Sequence, residues 1–247
     1  MRIAVLVWLL LGAALAAGAQ TTPWSYEGKT GPINWGKLDP AYRACRDGHE
    51  QSPIDIRGAH LNKGLPALEF HYIGGEMTVE NNGVTIVVHP DPGSYFVYDG
   101  VHYDLKEIVF HHPSETAVHG KLDDMDVELV HASADGKQAV IEVRFAVDMG
   151  GPNATVATLW SHLPADPGTS QKITTMVNPG GLLPGDLGFW TYMGSLSTPP
   201  CTEGVRWIVM EQDLSLSRSQ LRQFAQMFRV ASRPLQDPHG RRIEANE

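Results

Sequence analysis

From Leu68 onward the chain is a succession of short segments, each alternating or wholly apolar and each closed by turn residues. EMTVENNG, VTIVVHPDPG, SYFVYDG, VHYDLKEIVFHHP, MDVELVHASADG and QAVIEVRF follow one another at close spacing. A period of two with β-branched and aromatic enrichment predicts strands, and Asn82-Gly83, Asp99-Gly100 and Asp135-Gly136 are turn dipeptides suited to antiparallel connections. Helical signal is sparse. Asn153 to His162 is a short candidate, and SLSRSQLRQFAQMF is a better one, with Ser217 as N-cap and Leu221, Phe224 and Phe228 on one face. NPGGLLPGDLG reads as a packed loop, and no internal repeat or low-complexity linker divides the chain. With 247 residues, 42% of them hydrophobic, a sheet-dominated single domain is expected.

The first residues, MRIAVLVWLLLGAALAAGAQ, carry a basic Arg2, an apolar run and an Ala17-Gly18-Ala19 ending. This predicts a signal peptide over residues 1–19 and a mature domain over 20–247, periplasmic or secreted. The apolar run is shorter than the roughly 20 residues a span needs, so no membrane attachment is expected after cleavage. Removing the peptide takes away only Arg2 among the charged residues, leaving a chain one unit more acidic than the −9 of the full sequence. That balance, without a Lys/Arg cluster, excludes nucleic acid as a partner class. In an oxidising compartment Cys45 and Cys201 form a disulfide more often than a metal site.

One strand poses a chemical question. In EIVFHHPSET two histidines are adjacent, and neighbouring strand residues point to opposite faces. His111 and His112 therefore cannot share an ion, and the residue on the face of His111 is Val109.

WSYEGKTGPINWGKL, CRDGHEQSPIDI, NNGVTIVV, HPSE, ELVHASADG, WSHLP, FWTYMGSLSTPPCTEGVRWIV and RPLQDPHGR stand in the order of the signatures of the alpha-class carbonic anhydrases. The chain resembles that family from Trp24 to about Arg242. The resemblance implies a ten-stranded, mostly antiparallel twisted sheet with short peripheral helices and a conical cavity. It also implies a Cys45–Cys201 disulfide, as in secreted bacterial members. The family holds zinc with three histidines, two as H-x-H and one on the neighbouring strand, and is itself the reference case for a zinc-bound water brought to a pKa of about 7.

Aligned through Tyr103, Leu105 and Glu107 upstream and Pro113, Ser114 and Glu115 downstream, Val109 takes the place of the first histidine and His111 that of the second. Asp126, Leu129, Val130 and His131 fix the other strand, and Glu128 takes the place of the third. The proton-shuttling histidine corresponds to Val84, and Val87 stands where a polar residue is common. Glu107 replaces a glutamine that orients the first metal histidine. The resemblance assigns hydroxide steering to Ser197 with Glu115, alongside a retained Thr198, and assigns the carbon dioxide wall to Val130, Val140, Leu196 and Trp207.

One imidazole among three predicts that zinc is weak or absent and that no cofactor is needed. The chain then resembles the acatalytic carbonic anhydrase-related proteins, binding a small ligand or another protein. A hydrogen bond or ion pair between His111 and Glu128 in a metal-free pocket is the expected state, a network that Glu107 could join. The alternative is an enzyme, a carbonic anhydrase or esterase whose metal centre uses His111, Glu128 and possibly Glu107, with oxygen donors favouring manganese or iron. A metal-free acid/base reaction is a third option. His131 is expected to keep a structural hydrogen bond, His112 to face away, and His89, His102 and His119 to lie at the surface. Asn153-Ala154-Thr155 is a sequon that matters only in a glycosylating host.

Overall fold

The computed structural model describes residues 22–147 and 149–247, so the predicted signal peptide lies outside the described residues. The alternating segments become one 13-stranded sheet. Its continuous path runs through ten strands, in the order Thr169–Val177, Gly75–Asn81, Ile86–Pro90, Val101–His111, Met125–Ala132, Gln138–Val147, Glu203–Met210, Phe189–Ser195, Glu244–Ala245 and His60–Leu61. Pairing is mostly antiparallel, with Gln138–Val147 and Glu203–Met210 parallel at the centre. The expected ten-stranded, mostly antiparallel architecture is present.

The turn dipeptides do what their chemistry allows. Asp99 and Gly100 both take positive φ, 52° and 71°, the backbone twist a tight hairpin requires. The two predicted helices form as Ala154–Trp160 and Arg218–Met227. Asn153 caps the first through Val156 N–H, and Ser217 caps the second in a reciprocal capping box with Gln220. Phe224 is fully buried, while Leu221 and Phe228 pack at the edge of the same core. The Pro/Gly-rich loop includes a 3-10 turn at Pro179–Leu182.

The sheet separates two apolar clusters. The larger holds Phe96, Phe110, Val127, Leu129, Ile141 and Phe145 on one side; the smaller holds Ile54, Val140, Tyr192, Trp207 and Val209 on the other. One irregularity positions the site. Pairing between Val101–His111 and Met125–Ala132 jumps from Leu105 opposite His131 to Glu107 opposite Val130, leaving Lys106 as the extra residue of a bulge. The bulge reverses the alternation, so Tyr103 and Leu105 enter the larger core while Glu107, Val109 and His111 turn to the opposite face. Cys45 and Cys201 are bridged, tying an N-terminal helical turn to the loop between Phe189–Ser195 and Glu203–Met210.

Candidate functional site

Register across neighbouring strands arranges the site in rows. Glu107 lies opposite Val130, which lies opposite Val140. One row deeper, Val87 opposes Val109, Val109 opposes Glu128, and Glu128 opposes Glu142. The deepest row is His111, Asp126 and Arg144. Over these rows opens a cavity of about 280 Å³. Val87, Val109, Val130 and Leu196 give it an apolar wall, Trp24 closes one side, and Glu107, Glu128, His111, Ser197 and Thr198 supply its polar groups.

His111 is wholly buried, with Nδ1 2.9 Å from the carbonyl of Ala231 and 3.4 Å from Glu115 Oε1. A carbonyl only accepts, so Nδ1 carries a proton. Nε2 is 3.7 Å from Glu128 Oε2, within ion-pair range and too long for a hydrogen bond, and it has no hydrogen-bond partner. Ser197 donates weakly from 3.4 Å to both oxygens of Glu128. The expected His111–Glu128 contact is therefore present. Glu107 is not part of it: it is exposed at the mouth, and the second carboxylate on His111 is Glu115. Glu107 stands two rows above His111 on the same strand, which leaves it at the rim rather than at the floor.

Glu115, Asp126, Glu128 and Glu142 are all buried around this imidazole. Glu115 Oε1 accepts from Arg233 N–H at 2.6 Å, Asp126 Oδ2 from Glu115 N–H at 2.6 Å, and Glu142 from both N–H and hydroxyl of Thr116. Glu115 Oε2 and Asp126 Oδ1 have no partner. Such crowding holds protons in place. Burial, reinforced by the charge of Glu128 and opposed by His111, pushes Glu115 up to about 8. Burial, with the charge of Glu128 added, pushes Glu142 up to about 7, and burial plus Glu142 raises Asp126 well above the carboxylate range. For His111, burial works against the imidazolium, but Glu115 and Glu128 together raise it well above its ordinary value.

Several sequence expectations meet a different arrangement. Val140 and Trp207 are buried behind Val130 and Leu196, in the smaller core cluster, and are absent from the cavity surface. Val84 does not line the cavity either; it borders a neighbouring depression with Thr22, Trp24 and Asn82. Ser197 approaches Glu128 as well as Glu115, rather than Glu115 alone. His131 does keep structural bonds, to the carbonyl of Leu129 and to Tyr72 Oη. His112 accordingly bonds elsewhere, to the carbonyl of Asp124. His102 and His119 are exposed, and His89 is half-buried against Glu80. Sequence reasoning did not foresee the buried roles of Asp126 and Glu142. The signal was available: Glu142 and Arg144 interrupt the otherwise apolar run AVIEVRFAV.

Among the described residues, the metal-capable grouping is His111, Glu115 and Glu128, with ligand atoms within 4.8 Å of one another. This donor set does not fit a three-imidazole zinc. Val109 offers no donor, Glu128 offers an anion, and the nearest approach of Glu115 to His111 is on the Nδ1 side already engaged by Ala231.

The comparisons with known proteins agree with this architecture. The eukaryotic-type carbonic anhydrase family matches residues 30–247. A carbonic anhydrase of Klebsiella pneumoniae is 40% identical over 221 residues, covering 88% of this chain and 89% of its own. Among solved structures, the alpha-carbonic anhydrase of Thermovibrio ammonificans, in complex with the inhibitor sulfanilamide, superposes with a TM-score of 0.88 at 37% identity, covering 91% of this chain and all of its own. Dioscorin, solved in complex with ascorbate, superposes with a TM-score of 0.84 at 30% identity, covering 90% and 97%. With that fold, that coverage and that order of sequence signatures, the chain belongs to the alpha-class carbonic anhydrase family.

Proposed function

We propose that this chain is an exported family member that does not hydrate carbon dioxide and instead uses the cavity to bind a small ligand. The observation that carries the reading is the opposed pair Val109 and Glu128, a hydrocarbon and a carboxylate at the two positions where the family places imidazoles. Neutral nitrogen donors leave a divalent ion its full charge, and that charge acidifies bound water. Carboxylate donors diminish it. The complex of dioscorin with ascorbate is a precedent for a small organic ligand on this fold. The Cys45–Cys201 disulfide fits an oxidising compartment, periplasmic or extracellular. Among the described residues no helix is long and apolar enough to cross a membrane.

A second reading has a specific observation in its favour. The convergence of His111, Glu115 and Glu128 could hold a hard divalent ion and make an atypical carbonic anhydrase or esterase, in keeping with relatives named carbonic anhydrases. A carbon dioxide hydration assay separates the two. The wild-type protein is expected to show no rate above buffer with or without added zinc or manganese. Val109→His combined with Glu128→His is expected to bind zinc and gain measurable hydration, because Glu115, Ser197 and the apolar wall remain. Hydration by the wild type would support the second reading instead.

A further inference from the structure

We propose that the cavity receives a small uncharged molecule, a hydroxyl or amide N–H on a short apolar body, with that donor bonded to Glu128. The inference rests on the small-ligand reading above and names its chemical class. Charge, hydrogen-bond inventory and lining each support it.

Charge comes first. The Glu128 carboxylate already has its counter-charge, because the buried His111 ring, with Nδ1 donating to the Ala231 carbonyl, stands with Nε2 3.7 Å from Glu128 Oε2. An ion that entered would give up its water for a floor that is balanced without it, and that exchange is costly. At the rim Lys106 pairs with Asp104 while Glu107 stands exposed, so the mouth holds no spare cation to draw in an anion. The second feature is the hydrogen-bond inventory. An ionised carboxylate offers about four lone-pair positions. Glu128 shares the single hydroxyl of Ser197, at 3.4 Å to each oxygen, and its contact with His111 is too long for a hydrogen bond. Buried acceptors ordinarily hold a full-length bond, and Glu128, 4% exposed, lines the cavity with capacity to accept one. A neutral O–H or N–H supplies that bond without adding charge. The third is the lining. Val87, Val109, Val130 and Leu196, with Trp24 at one side, bound a space of about 280 Å³, which suits a short apolar body behind the donor.

Ligand-observed NMR titrations of the exported wild-type protein with benzyl alcohol, toluene, benzylammonium and benzoate test this. Benzyl alcohol is expected to bind about tenfold more tightly than toluene, the gain of a hydrogen bond to a charged acceptor, and both ions are expected to bind more weakly than benzyl alcohol. Glu128→Leu is expected to abolish the advantage of benzyl alcohol while toluene still binds, which also shows that the variant is folded. Should that variant fail to fold, the order among the probes on the wild type still decides. Toluene binding as tightly as benzyl alcohol overturns the donor class, and either ion binding as tightly as benzyl alcohol overturns the uncharged class; both results leave the small-ligand reading standing. An advantage that survives Glu128→Leu overturns the assignment to Glu128. Binding of none of the probes overturns the proposal, and the small-ligand reading falls with it if the same sample takes up one manganese or zinc ion per chain.

Discussion

At the scale of single residues, the decisive feature is the carboxylate of Glu128 beside His111, a buried charge rather than a neutral nitrogen donor. A carboxylate without a partner is costly to bury, and the protein answers by retaining protons on its neighbours. That has a thermodynamic signature. Glu115, pushed up to about 8 by burial, keeps a proton in the folded state at pH values where the unfolded chain has lost it. The raised Glu142 and His111 act in the same sense, since the folded protein holds more protons than the unfolded one as pH rises through neutrality. His131, buried and held down to about 3, contributes the opposite slope, but only below its ordinary pKa of about 6.5. Between pH 6.5 and 8 the sign is therefore fixed: stability falls as pH rises. Thermal melts are expected to give a higher Tm at pH 6.5 than at pH 8, and Glu115→Gln is expected to flatten the difference. A Tm that climbs across this window would contradict a protonated cluster.

At the scale of elements, the strands and turns were legible because their signals are local: period-two alternation, Asp-Gly and Asn-Gly dipeptides, and a serine before an amphipathic run. Ser217 shows how such a signal carries energy. Its hydroxyl accepts from Gln220 N–H while Gln220 Oε1 accepts from Ser217 N–H. Ser217→Ala is expected to lower stability by about 1 kcal/mol, measured by urea unfolding. The bulge at Lys106 was not legible, because an extra residue shows itself only when a partner strand is laid alongside. Alternation alone puts Leu105 and Glu107 on one face; pairing puts them on opposite faces. Glu107 shares a face with His111 but stands two rows above it, and the second carboxylate on His111 is Glu115, from the segment beyond the strand. Buried partners contributed by distant segments leave no mark on local periodicity.

At the scale of the whole molecule, the fold and its disulfide followed from the order of the family's signatures, and the sheet confirms that part. The chemistry does not follow from the fold, since the same scaffold serves carbonic anhydrases and dioscorin alike. In this chain His111 and Glu128 lie beneath an apolar wall, with the buried carboxylates of Glu115, Asp126 and Glu142 packed behind them. The most direct measurement of its consequence is the metal content of the exported protein, purified without chelator and analysed by inductively coupled plasma mass spectrometry. Zinc far below one equivalent per chain, unchanged after dialysis against micromolar zinc, is the predicted result. One zinc per chain that survives dialysis against a weak chelator would contradict it.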